Sequence, residues 1–165
     1  MAGPVSEIVL QFQELVAELP GWLQPVGVAL AGAVPFVEGE GAAAVGVVGG
    51  VHPMAAALAA MAGNFLAVLV VVLVSIRTRA AVVGSARGPR PRSARRQKFD
   101  RAFERYGVAG VSLLGPLLIP THFTAAALAA SGVSRARILT WQAVAIVLWT
   151  TAISLVITGV IAFAR

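Results

Sequence analysis

MAAALAAMAGNFLAVLVVVLVSI, residues 54–76, is an uninterrupted apolar run in which only Asn64 and Ser75 are strongly polar. As a helix it would be about 35 Å long, enough to cross a hydrocarbon core of about 30 Å. We therefore expect it to span a membrane. Residues 138–163, which include Trp141 and Trp149, form a second apolar run of similar length and predict a second span.

The composition of the whole chain supports a membrane location. Of its 165 residues 58% are hydrophobic and 12% are charged, whereas soluble domains have about 25% charged residues. We expect one all-helical membrane domain, residues 1–165. The chain has no cysteine, and it shows no Ser-His-Asp set, phosphate-binding glycine loop or metal-ligand spacing. The sequence therefore predicts no enzyme activity, no cofactor and no metal site.

The charged residues are segregated along the chain. Ten of the thirteen basic residues lie between Arg77 and Arg105, and every acidic residue before position 100 lies within the first forty. By the positive-inside rule, segment 77–105 is cytoplasmic and the N-terminus extracytoplasmic. Because the basic loop 77–97 lacks interleaved aromatic residues, we expect it to touch anionic lipid headgroups and not nucleic acid. The single Lys and single Asn suggest a GC-rich genome, and hence a bacterial inner membrane.

Residues 26–51, VGVALAGAVPFVEGEGAAAVGVVGGV, are apolar but broken at their centre by a polar group. The breaking residues are Pro35 and the run Glu38-Gly39-Glu40-Gly41. A carboxylate in mid-bilayer costs roughly 3 kcal/mol or more. A helix, a turn at PFVEGEG and a second helix avoid exposing it to lipid. Each arm would be too short to cross the bilayer, so the segment predicts a re-entrant hairpin.

A second broken apolar segment, residues 107–133, is interrupted by Pro116, Pro120 and His122. Each hairpin follows a short amphipathic element and precedes a full span, which predicts two repeats, 5–76 and 98–163, joined by the basic loop 77–97. The amphipathic elements are 5–19 and a basic one around 99–106. A shift of 82 residues superimposes Gly50-Val51 on Gly132-Val133 and Glu40 on His122. One span separates the hairpins, so the repeats have inverted topology, as in many secondary transporters.

Three ionisable residues at the hairpin breaks are the candidate site. Glu38 and Glu40 could bind a proton, a sodium ion or a cationic substrate, because a membrane-embedded carboxylate must be neutralised or paired. The alternative is a shallow turn with both side chains in water. His122 suits a proton relay, because histidine can gain and lose a proton near neutral pH. The alternative is a histidine at the turn that bonds a carbonyl. Asn64 is a possible polar support, although an interhelical hydrogen bond also accounts for it.

Three stretches carry a family resemblance: PFVEGEGAAAVG, the AGN of the first span, and KFDRAFERYGVAGVSLLGPLLIPTHFTAAALAASG. They resemble the small multidrug export proteins, relatives of the DedA membrane proteins, over roughly residues 30–150. The resemblance implies paired re-entrant hairpins, a transport role, and Glu38 and Glu40 as the acidic residues of the first hairpin. DedA relatives are associated with proton-dependent flipping of lipid carriers. The DedA pattern has arginines near the second-hairpin proline, whereas here His122 is the only basic side chain there.

Three functions follow from these expectations. The first is ion-coupled efflux of small amphiphilic cations, with a carboxylate exchanging protons for substrate. The second is a DedA-like translocase for polyprenyl phosphate or phospholipid. The third is a non-transporting membrane subunit of a larger complex. Two spans can hardly enclose a path, so we also expect a homodimer or larger homo-oligomer.

Overall fold

The computed structural model describes residues 18–85 and 107–164, together with positions 7, 10, 11, 14 and 15. Within this part of the chain every regular element is helical, which confirms the all-helical class. The elements are α1 (Gln24–Gly32), α2 (Glu38–Val48), α3 (Pro53–Ser85), α4 (107–114), a 3-10 turn (Gly115–Leu117), α5 (Thr121–Ala130) and α6 (Arg135–Phe163). Of the predicted amphipathic element 5–19, the described positions 7, 10, 11, 14, 15 and 18 are helical. The basic element 99–106 lies outside the described residues.

The two predicted spans are present as two long helices. Pro53–Ala81 of α3 and Arg135–Phe163 of α6 are each long and apolar enough to cross a membrane. One boundary differs from the prediction, because α3 continues to Ser85 through the first nine residues of the segment expected to be a loop. Residues 77–83, RTRAAVV, contain no glycine or proline, and arginine and alanine favour helix. The first helix-breaking residue is Gly84, one position before the helix ends.

The first broken segment forms two short helices joined by a turn. Residues 33–37 make the turn, in which Phe36 has a φ of 74°. Helix α2 begins at Glu38, so the run Glu38-Gly39-Glu40-Gly41 forms its first turn. The sequence analysis had predicted this run in the turn that precedes the helix. Carboxylates are favoured in the first helical turn because the peptide dipoles place partial positive charge there.

The second broken segment has the same order of elements. Helix α4 tightens into the 3-10 turn that contains Pro116, and Pro120 precedes α5 with an extended backbone (φ −49°, ψ 143°). Proline cannot donate the backbone hydrogen bond that a continuing helix needs. The break therefore covers residues 115–120, and His122 is the second residue of the following helix.

The chain divides into two compact units, each with one helical pair and parts of both long helices. The first unit contains α1, α2, α3 up to Leu66 and α6 from Ile146. The second contains α3 from Ala67, α4, α5 and α6 up to Ala145.

Small residues allow close helix packing in the first unit. Its apolar cluster contains Val28, Ala31, Ala42, Ala43, Val51, Ala56 and Ala60. A Cβ added at Gly63 of α3 would collide with the carbonyl of Ala29, and one at Gly32 of α1 would collide with the carbonyl of Ala60. The backbones of α1 and α3 therefore touch at two reciprocal points, a geometry typical of helices packed through small residues.

Helices α2 and α5 end in the same way, 82 residues apart. Gly50 and Gly132 both have positive φ, 89° and 88°. The amide after each donates to a carbonyl five residues back: Val51 N–H to Gly46 at 2.9 Å and Val133 N–H to Leu128 at 3.2 Å. This is the Schellman arrangement, in which glycine adopts the left-handed conformation without a Cβ penalty.

Candidate functional site

Glu38 lies at the start of α2 in an unusual environment. Only 6% of its surface is exposed, and its φ is 53°. A non-glycine residue in the left-handed region is strained by roughly 1–2 kcal/mol, and such strain persists only where the surrounding structure enforces it. A buried, strained carboxylate therefore occupies the junction between an apolar turn and an apolar helix.

Gly39, the next residue, is in close contact with two polar side chains from the long helices. A Cβ on Gly39 would collide with Thr150 Oγ1 and would lie 3.5 Å from Asn64 Nδ2. Both Thr150 and Asn64 are fully buried. The start of α2, the Asn64 position of α3 and the Thr150 position of α6 thus meet in the first unit. The sequence predicted Gly39 as a helix break, but its missing side chain is what admits Thr150.

A line of hydroxyl side chains on α6 was not predicted from the sequence. Thr150, Ser154 and Thr158 are spaced four residues apart, so they share one face of the helix. Thr150 Oγ1 and Ser154 Oγ are buried and have no hydrogen-bond partner within the described part of the chain. The four-residue spacing is visible in the sequence, but it indicates a site only once one face of α6 is known to be buried.

A cavity of about 680 Å³ lies at the far end of this line of hydroxyls. Thr158, Ile161 and Ala162 of α6 line one side, and residues from the end of α2 to the start of α3 line the other. His52 is part of that lining and is exposed. The C-terminal end of α6 therefore lies beside the start of α3 in the first unit, as two antiparallel helices require.

Glu40 lies one residue beyond Gly39 and is half-buried. It belongs to neither of the two long helices. Its burial raises the pKa of its carboxyl group above the ordinary value, a backbone hydrogen bond works in the opposite direction, and the negative charge of Glu38 raises the pKa further. Glu40 is the more accessible of the two neighbouring carboxylates. Because its pKa is raised, it holds a proton more readily than an exposed glutamate.

His122 belongs to the second unit, whereas Glu38 and Glu40 belong to the first. It is buried near the start of α5, together with its neighbours Thr121 and Thr124. The second unit has two further buried polar residues, Ser112 and Gln142. Neither the Ser112 hydroxyl nor the two polar atoms of the Gln142 amide has a hydrogen-bond partner among the described residues. The sequence analysis did not identify Ser112 or Gln142.

The remaining residues predicted to break the hairpins have different positions. Pro35 is exposed in the first turn, and Pro116 and Pro120 lie in and just after the 3-10 turn. A Cβ on Gly41 would meet only Val37 Cγ1, at 3.4 Å. Gly41 lies inside α2 and has room for a side chain, so it neither breaks the helix nor permits a close contact.

The described residues contain no group of three or more His, Asp or Glu side chains arranged to hold a metal ion. The candidate site contains carboxylate, hydroxyl and amide groups. A carboxylate can carry a proton, and the oxygen atoms of all three groups can act as ligands. No protein-family model, curated protein or solved structure matches this chain. The resemblance to the small multidrug export proteins therefore stays a prediction.

Proposed function

We propose that this protein is a membrane transporter that couples export of small amphiphilic cations to protons through Glu38 and Glu40. The observation that carries the proposal is the buried, backbone-strained Glu38 beside the meeting point of Gly39, Asn64 and Thr150. Burying an ionisable residue in an apolar helical protein costs free energy. In membrane proteins such residues mark ion and substrate paths.

Membrane insertion is supported by the surfaces of the long helices. Only 33% of the most apolar window of α3 and 22% of that of α6 is buried within the chain. Large exposed side chains include Leu58, Leu66 and Val70 on α3 and Leu148, Leu155 and Val160 on α6. The core helix of a soluble protein would bury most of its apolar residues. Lipid, or another copy of the chain, is the natural cover for these faces.

The two helical pairs fit re-entrant hairpins. Helices α1 and α2 have 9 and 11 residues, so they are about 14 and 16 Å long, roughly half of a 30 Å hydrocarbon core. Each compact unit combines one such pair with one part of each long helix. The two units therefore contain the same kinds of elements, as two related repeats would. We propose an inverted repeat with segment 77–105 in the cytoplasm of a bacterium, assembled as a homodimer or larger oligomer.

In this proposal the two carboxylates have distinct tasks. Glu38, the more buried, binds a proton or the positive group of the substrate, one excluding the other, because two positive charges cannot share one carboxylate in a low-dielectric site. Glu40 is more accessible and exchanges protons with water. His122 belongs to the second unit and is proposed as a proton carrier of that unit.

The test is dye efflux from proteoliposomes driven by a pH gradient. Glu38→Gln and Glu40→Gln keep the side-chain size and remove the charge, and each should reduce gradient-driven efflux of a lipophilic cationic dye at least tenfold. Glu18→Gln is the matched control, because Glu18 is exposed, and it should transport as the wild type does. Wild-type efflux by both variants would refute the proposal.

A second candidate, translocation of anionic lipid, is favoured by one observation. In the second unit a Cβ on Gly132 would lie 2.9 Å from Arg79 Nη2, so this guanidinium packs against the end of α5. Arg135 and Arg137 follow within five residues and are exposed. These arginines could gather phosphate headgroups. Retention of an anionic phospholipid by the purified protein, lost in Arg79→Gln, together with unchanged dye efflux in Glu38→Gln, would favour this function.

A further inference from the structure

We infer that water enters the first unit along Thr158, Ser154 and Thr150 and carries protons between the 680 Å³ cavity and Glu38. This inference rests on the proposed function: Glu40 exchanges the proton of Glu38 on one side of the site, and the hydroxyls of α6 supply the route on the other. It gives a role to Ser154 and Thr158 of α6, beyond the contact of Thr150 with Gly39.

The first support is the hydrogen bonding of the hydroxyls. Thr150 Oγ1 and Ser154 Oγ are buried and lack a partner within the described part of the chain. A buried polar group without a hydrogen bond costs about 1–3 kcal/mol. Bound water commonly satisfies such groups in folded proteins. Two such hydroxyls one helical turn apart can each hold a water molecule within reach of the next.

The second support is that the line of hydroxyls has a defined beginning and end. At one end, Thr158 lines the cavity, together with the exposed His52. At the other end, Thr150 Oγ1 packs against Gly39, which directly follows Glu38. The distance along α6 from Thr158 to Thr150 is about 12 Å, which a short chain of water molecules can bridge.

The third support is the contrast with the other faces of the same helix. Leu155, Val156 and Val160 are exposed and apolar, whereas Thr150 and Ser154 are buried. The neighbouring Thr151 is exposed and is not part of the route. The titratable groups on the elements around the route are Glu38 and Glu40 on α2 and His52 before α3. The described residues of α6 and α1 in this unit include none.

The proton step is a simple exchange. A hydronium ion in the cavity gives one proton to the chain of water molecules, and the last water gives one to the Glu38 carboxylate. The carboxylate becomes a neutral carboxyl group and one water molecule is left in the cavity. Release is the reverse, and no oxidant, reductant or other reactant takes part.

Cysteine accessibility tests the route, because the chain contains no cysteine of its own. Thr158→Cys, Ser154→Cys and Thr150→Cys are each reconstituted in lipid vesicles and treated with a small cationic methanethiosulfonate. The thiolate is the reacting species, and it forms in water but not in lipid. We expect modification at 158 to be fastest, with 154 and 150 slower but at least tenfold faster than the lipid-facing controls Leu155→Cys and Val156→Cys.

Equal or slower modification at 154 than at 155 overturns the inference. Variants are compared only if they elute as the wild type does in size-exclusion chromatography. If Thr150→Cys does not fold, Ser154→Cys and Thr158→Cys still decide the outcome.

A second variant tests whether protons use the route. Ser154→Leu fills it with an apolar side chain and should reduce gradient-driven efflux at least tenfold, while Ser154→Ala, which leaves space for water, should reduce it less than threefold. If Ser154→Leu transports fully while the separate variant Glu38→Gln is inactive, the route is refuted and the proposed function is not. Full efflux by Glu38→Gln and Glu40→Gln alongside rapid modification at 154 would refute the proposed function instead.

Discussion

Replacing Gly39 with alanine should destabilise the protein, whereas the same change at Gly41, two residues later, should not. A Cβ at position 39 would collide with Thr150 Oγ1 and approach Asn64 Nδ2 to 3.5 Å, while a Cβ at 41 would meet only Val37 Cγ1 at 3.4 Å, an ordinary contact. Both glycines lie in α2, so the two variants differ mainly in the space around the added methyl group.

The magnitude follows from two opposing effects. Alanine favours helix over glycine by at most about 1 kcal/mol, and both variants gain this. Forcing an extra methyl group into a packed site costs typically about 1–3 kcal/mol, and only Gly39→Ala has this penalty. The free energies of unfolding should therefore differ by about 1–3 kcal/mol. At about 2–4 °C per kcal/mol for a chain of this size, Gly39→Ala should melt several degrees below Gly41→Ala.

The assay is thermal unfolding in detergent micelles, followed by the fluorescence of the three tryptophans. Adding Thr150→Ala to Gly39→Ala removes the hydroxyl from the point of collision. This double variant should recover part of the loss, with a coupling energy of about 0.5–3 kcal/mol between the two positions. The reasoning fails if Gly39→Ala is as stable as Gly41→Ala, or if the two substitutions are simply additive.

Three further predictions use the same measurement. Gly63→Ala forces a methyl group into the backbone of α1 and should lower stability by about 3 kcal/mol, whereas Gly159→Ala, with open space around it, should be neutral or stabilising; equal melting temperatures would contradict the close crossing. Gly50→Ala and Gly132→Ala place a side chain at positive φ and should each cost about 1–2 kcal/mol, so an unchanged melting temperature for both would argue against the shared cap geometry. Gln142→Leu removes a buried amide whose two polar atoms lack a partner among the described residues and should raise stability by about 1–3 kcal/mol; a clear loss of stability would show that the amide is well bonded.

The two long helices and the two helical breaks could be predicted because they depend on local properties of the chain. Apolar runs of the length of a bilayer, such as 54–76, have few alternatives to a helix. Pro116 and Pro120 disfavour an uninterrupted helix, since proline lacks the amide hydrogen that a helix interior needs. Boundaries were harder to place. Helix α3 continued to Ser85 because nothing before Gly84 stops it, and α2 began at Glu38 because acidic residues favour a helix N-terminus.

The candidate site was only partly predictable. An isolated carboxylate in an apolar segment stands out in any sequence, and so Glu38 and Glu40 were identified. Thr150 and Ser154 were not, because single hydroxyl residues are common in apolar helices and carry no signal until their four-residue spacing is compared with a buried face. The role of Gly39 depends on which side chain lies opposite it, and that partner is more than a hundred residues away in the chain.

The sequence by itself determined the helical class, the two long apolar helices and the positions of the acidic residues, because hydrophobicity, helix propensity and proline act over a few residues. Tertiary structure decided that Glu38 is buried at positive φ, that Gly39 meets Asn64 and Thr150, and that hydroxyls on α6 lead from there to a cavity. These features depend on how α2, α3 and α6 pack. Packing is set by the fit of small residues such as Gly32 and Gly63 across helices, which no local pattern encodes.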